Sequence, residues 1–108
     1  MSDKEKFCII ITSCNDNKIK DKIVNRLLND KLSACIQVSA AQSSYIFEDK
    51  INHDNEIIIK IKSKLSLYKN IENIIKELHD YKVPQIIAIP IIAISDDYSN
   101  WLKESLCN

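Results

Sequence analysis

Glycine is absent from the chain. Phosphate-cradling loops, the Gly-x-Gly-x-x-Gly dinucleotide fingerprint and the usual calcium loop all need glycine where the backbone turns left-handed or touches a ligand. Their usual forms are therefore excluded. Net charge is absent too: 15 Lys plus Arg balance 15 Asp plus Glu over 108 residues, whereas a nucleic-acid binder normally carries a basic face. No apolar stretch approaches the roughly 18–20 residues of a membrane span. The run from Phe7 to Ile11 is too short for a signal-peptide core, and no Asn-x-Ser/Thr acceptor occurs. With the charged start Met1-Ser2-Asp3-Lys4-Glu5-Lys6, these absences make the cytoplasm the expected location. The cysteines Cys8, Cys14, Cys35 and Cys107 form no Cys-x-x-Cys pair, which argues against a zinc knot or a disulfide framework.

What is present is a globular composition, 45% hydrophobic and 28% charged, that suits one domain over residues 1–108. Phe7-Cys8-Ile9-Ile10-Ile11 reads as a buried strand. Asn15-Asp16-Asn17 offers a helix cap, and Ile19, Ile23, Val24, Leu27 and Leu28 mark an amphipathic helix from Asp16 to Lys31. Ala34, Ile36, Val38 and Ala40 alternate along a second strand that continues through Ser44-Tyr45-Ile46-Phe47. Glu48-Asp49-Lys50 is the expected turn, with Asp standing where glycine is usual. The third strand returns through Ile51 and His53 to Ile57, Ile59 and Ile61. Leu65, Tyr68, Ile71, Ile75 and Leu78 mark a second helix. Gln85 to Ile94 reads as the fourth strand, and Asp96-Asp97 as the cap of a last helix carrying Tyr98, Trp101 and Leu102.

That order, with right-handed crossovers, predicts an α/β fold: a ferredoxin-like βαββαβ sandwich with both helices on one sheet face and an added C-terminal helix. The fourth strand should lie at an edge, where Pro90 is tolerated. The second and third strands each run roughly 14 residues, about 45 Å. A helix of roughly 16 residues covers only about 24 Å. The long β2–β3 hairpin should therefore overhang its own helices by roughly 20 Å and expose Tyr45, Ile46, Phe47 and Ile51. Such a ribbon calls for cover by another chain, unless it bends near Ala40-Ala41-Gln42.

Five blocks stand out: Ser33-Ala34-Cys35-Ile36-Gln37, Ser44 to Ile51, Glu56 to Ser63, His79-Asp80-Tyr81-Lys82-Val83-Pro84-Gln85-Ile86-Ile87-Ala88-Ile89-Pro90, and Tyr98-Ser99-Asn100-Trp101-Leu102. In these blocks, in the same order, the sequence resembles the CutA family of divalent-cation tolerance proteins over nearly its whole length. The block from His79 to Pro90 is similar to that family's His-Pro-Tyr-Glu-Val-Pro-Glu-Ile-Ile-Ala-Leu-Pro. The resemblance implies a ferredoxin-like homotrimer with hairpins paired between subunits, linked to tolerance of copper and other divalent ions and without an established reaction. In animals the family is tied to anchoring of acetylcholinesterase. It also implies a likeness to the PII signalling trimers, so a small-ligand-sensing or protein-anchoring module is the alternative reading. Phe47 departs from the family's Trp, Asp49 from its turn Gly and Asp80 from its Pro. Lys82 and Gln85 replace two glutamates, so a metal site using that segment should bind more weakly than in relatives.

His79 and Cys35 are the candidate metal ligands, for Cu²⁺ or another divalent cation, and no organic cofactor is expected. The competing reading of His79 is a helix terminator. That of Cys35 is a buried structural thiol. His53 reads as a solvated hairpin residue. Tyr45, Glu48, Lys50, Lys62 and Tyr81 are candidates for a cleft between subunits. Catalysis is not expected: there is no defensible acid pair or Ser-His-Asp set, and Arg26, the sole arginine, sits mid-helix. RNA binding is not expected either, because the stretch from Ile57 to Lys62 offers no aromatic ring for base stacking.

Overall fold

The computed structural model describes residues 6–107, so the first five residues of the charged start and the last residue of the chain lie outside it. β1 (Phe7–Cys14), α1 (Asn17–Asn29), β2 (Cys35–Phe47), β3 (Lys50–Lys64), α2 (Tyr68–Leu78), β4 (Ile86–Pro90) and α3 (Asp96–Ser105) follow in order, with a 3-10 turn, Leu65–Leu67, leading into α2. The sheet is antiparallel with strand order β2-β3-β1-β4, which is the ferredoxin-like arrangement. Ile10 of β1 pairs with Ile61 of β3, and Thr12 with Ile59, so these side chains share one face. Ile23 and Leu27 of α1 and Ile71 and Ile75 of α2 close over that face, and all are fully buried apolar residues of one cluster.

Local chemistry sets the ends of the elements. Asp16 caps α1 by accepting from the Lys18 amide at 2.6 Å. α1 stops two residues short of the expected Lys31, because Lys31 turns left-handed at φ 57°. There the Leu32 amide reaches back to the Leu27 carbonyl at 2.9 Å and the Lys31 amide to Leu28 at 3.1 Å, the bond pair of a Schellman motif. Ser95, rather than Asp96-Asp97, caps α3 by accepting from the Tyr98 amide, and the two acids occupy the first turn beside the helix dipole.

β4 is also shorter than expected, ending at Pro90 rather than Ile94. The Ile91 amide donates to the Phe7 carbonyl at 3.0 Å, so Pro90, opposite Cys8, belongs to the pair whose backbone groups point away from β1. Its missing N–H therefore faces the free edge of the sheet, and no ladder bond is lost.

The β2–β3 hairpin is unbroken. Its register runs from Cys35 opposite Lys62 to Phe47 opposite Lys50, with no interruption near Ala41. Glu48 and Asp49, at φ 52° and 62°, make the two-residue turn without glycine. β1 pairs with β3 only from Ile57 onward, which leaves residues 50–56 and their β2 partners as a bare two-stranded ribbon. At the extended rise that is about 23 Å of overhang. The molecule is accordingly elongated, 49 × 26 × 21 Å.

Candidate functional site

Where the ribbon leaves the sheet, its base meets the end of β1 and the segment after α2. His79 ends α2, its amide bonded to the Ile75 carbonyl at 2.9 Å, and its side chain is fully buried. Its Nε2 lies 2.7 Å from the carbonyl oxygen of Ser13, an acceptor, so Nε2 carries the proton and donates. The Tyr81 amide donates to Nδ1 at 3.0 Å. The Tyr81 ring packs 4.5 Å from the imidazole, tilted by 49°. One neutral ring thus fastens β1, α2 and the 79–85 segment together.

Beside this joint is a cavity of about 690 Å³. Tyr45 and Phe47 from β2 and Tyr81 from the 79–85 segment supply aromatic walls, with Ser43, Lys82 and Val83 around them. Ser13, Glu56 and Gln85 supply the polar lining. Ser13 is 4% exposed, and its hydroxyl lies 3.3 Å from Gln85 Oε1 and 3.5 Å from Glu56 Oε2. Ser43 and Tyr45 share the face of Asp54 and Glu56 through the alternating register, and the Tyr45 hydroxyl donates to the Asp54 carboxylate.

The local field is negative. The hydrogen bond to Asp54 raises the Tyr45 phenol to about 12, with burial and the charges of Asp54 and Glu56 adding to the shift. Burial raises Tyr81, and the carboxylates of Glu56, Asp80 and Asp54 push it the same way. Burial likewise raises the Cys14 thiol beneath the joint.

Of the expected cleft residues, the structure brings together Tyr45 and Tyr81. Glu48 lies in the turn and Lys50 at the distal end of β3, both exposed. Lys62 is at the other end of the sheet, its Nζ 5.5 Å from the Tyr98 ring centroid. His53 is tied to Ser44, Oγ to Nδ1 at 2.8 Å. Ser13, Ser43, Asp54 and Glu56 were not singled out from the sequence. The alternation that placed Tyr45 could have flagged Ser43, and the register Asp54 and Glu56.

The expected ligand pair does not form within one chain. Ser13, bonded to His79, pairs with Ile58, whereas Cys35 pairs with Lys62. Four residues of β3 separate those levels, about 13 Å. Both ring nitrogens of His79 are already hydrogen-bonded, so no lone pair is free for an ion. Cys35 is half-buried rather than enclosed. Among the described residues no group of three or more His, Cys, Asp and Glu side chains could hold a metal ion. No helix among them is long and apolar enough to cross a membrane.

Residues 8–105 match the family described as CutA1 divalent ion tolerance protein. The chain belongs to the CutA1 family. It is 35% identical over 96 residues to the divalent-cation tolerance protein CutA of Pyrococcus horikoshii, covering 89% of this chain and 94% of that one. Among solved structures it is similar to CutA1 from the psychrotrophic bacterium Shewanella sp. SIB1, with TM-score 0.91, 33% identity and coverage of 97% and 99%. It is also similar to CutA1 from Oryza sativa, with TM-score 0.92, 27% identity and coverage of 99% of each chain. Membership makes it a divalent-cation tolerance protein, a family named for tolerance rather than for a reaction.

Proposed function

We propose that the chain works as a non-enzymatic, cytoplasmic homotrimer in divalent-cation tolerance, with Cu²⁺ or another divalent ion as the bound species and no organic cofactor. The observation that carries this reading is the bare ribbon, on which Ile46, Phe47 and Ile51 are 77%, 60% and 73% exposed. Apolar surface of that kind on a strand pair with an open edge is an aggregation hazard until another chain covers it. β2 and β4 leave free edges at opposite ends of the sheet, and a contact between unlike patches of identical copies closes into a ring when the rotation permits. Since one chain offers no three-donor set of the kinds named above among its described residues, the ion would be held where copies meet.

Sedimentation equilibrium at micromolar concentration should give three times the chain mass of 12.4 kDa. A stable single-copy species would overturn the assembly. Thermal melts with Cu²⁺ or Zn²⁺ should rise with ion concentration by mass action, and an unchanged melt at millimolar ion would overturn the metal part. The cavity favours a second reading, a trimer that senses a small ligand, because its volume and mixed lining are those of ligand sites.

A further inference from the structure

Three side-chain oxygens converge on one polar wall of the cavity. Ser13 Oγ, Glu56 Oε2 and Gln85 Oε1 converge with separations of 3.3 and 3.5 Å, too long for strong O–H···O bonds, and the single Ser13 proton cannot serve both neighbours well. Glu56 forms no ion pair with Lys, Arg or His among the described residues. Ser13 is buried on β1, so this acceptor cluster rests on the sheet rather than on a mobile surface. Beside it in the lining are the Tyr45 and Tyr81 rings, and aromatic rings attract organic cations. Asp54, Glu56 and Asp80 all act on the Tyr81 phenol, against the one cation on the wall, Lys82.

We infer that the cavity binds a small organic ammonium: its charged nitrogen donates to Ser13, Glu56 and Gln85, and its apolar body lies against Tyr45 and Tyr81. An ammonium has three donors and no acceptor, the complement of three convergent oxygens. Charge-assisted bonds to Glu56 distinguish it from a neutral molecule of the same shape. The inference rests on the small-ligand reading; the residues named all come from one chain, so binding and assembly are tested by separate measurements.

The test is calorimetric titration of the full chain with 2-phenylethylammonium and with its neutral counterpart 2-phenylethanol. The ammonium should bind about tenfold more tightly than the alcohol, the size of effect expected from one charge-assisted bond. Glu56→Gln should erase that preference, Tyr45→Ala should weaken both ligands, and Lys82→Ala should strengthen the ammonium alone. Equal binding of the two ligands to the unaltered chain, or no ammonium binding at millimolar concentration, would overturn the inference without reference to any variant's folding. Sedimentation of the same samples separates the outcomes: a trimer that ignores the ammonium sinks the ligand and leaves the assembly standing.

Discussion

His79 reaches from the end of α2 to the carbonyl of Ser13 at the end of β1, 66 residues earlier, through a 2.7 Å bond from Nε2. With Nδ1 held by the Tyr81 amide, the ring acts as a buried fastener rather than an outward-facing ligand. Replacing His79 by Ala leaves the Ser13 carbonyl and the Tyr81 amide without these partners, at a cost of about 1–3 kcal/mol. Urea unfolding should show that loss. The copper response, if the ion sits between copies on other donors, should survive in whatever fraction remains folded. Loss of the copper response with unchanged stability would restore the ligand role.

Thr12 is fully buried on the helix-covered face of β1, opposite Ile59 and Ile86, and its hydroxyl has no hydrogen-bond partner among the described residues. Valine has nearly the same shape, suits a strand, and carries no polar atom to desolvate. Thr12→Val should raise stability by about 1 kcal/mol, seen as a melting temperature several degrees higher. An equal loss instead would mean that the hydroxyl is engaged.

Among the described residues, Lys31, Glu48 and Asp49 sit at positive φ. Each pays a left-handed penalty of about 1–2 kcal/mol that glycine largely avoids. Asn at 48 with Gly at 49 is the pairing that a two-residue turn of this type prefers. The double change Glu48→Asn, Asp49→Gly should stabilise the hairpin by about 1 kcal/mol, and Lys31→Gly should do the same for the end of α1. Chemical denaturation of each variant measures the gain, and a loss at either place would show that the native side chain contributes more than its backbone strain costs.

Much of this was legible in the residues. Apolar runs and period-two and period-3.6 patterns located the strands and helices among the described residues, and element order then placed the fourth strand at an edge. The ends were less legible. Ile91, Ile92 and Ile94 look like strand, yet pairing stops beyond the amide of Ile91, and Ile92 is almost fully exposed. Ser95 and Asp96 are both good caps, and spacing alone does not choose between them. The site was legible only in part, since Tyr45 and Tyr81 meet through a fold-back of the 79–85 segment. The duty of His79 depends on a backbone carbonyl, which no side-chain pattern can announce.

Tyr45 gives the fold a pH signature. Its hydrogen bond to Asp54 holds the phenol at about 12, above the ordinary 10.0. A group whose folded value lies above its unfolded one stabilises fully below the unfolded value and loses that contribution as pH rises through the folded one. The contribution of Tyr45 should therefore be intact below pH 10 and fade towards pH 12. Ultraviolet titration of the phenols should show a late tyrosine, over and above the raised Tyr81 and Tyr68, that Asp54→Asn returns towards the normal range. An Asp54→Asn titration identical to the parent's would disprove the contact.

Ile46 and Ile51 face each other across the ribbon, 77% and 73% exposed, beyond the reach of any helix in their own chain. If sister copies cover them, their burial drives assembly by about 1.5–3 kcal/mol per side chain, repeated in every subunit. Ile46→Lys with Ile51→Glu places opposite charges at that cross-strand pair, which keeps the hairpin paired while making it costly to bury. The variant should sediment at 12.4 kDa with its circular dichroism unchanged, whereas the parent stays assembled at the same dilution. A variant that remains assembled at submicromolar concentration would show that the overhanging ribbon is not what holds the copies together.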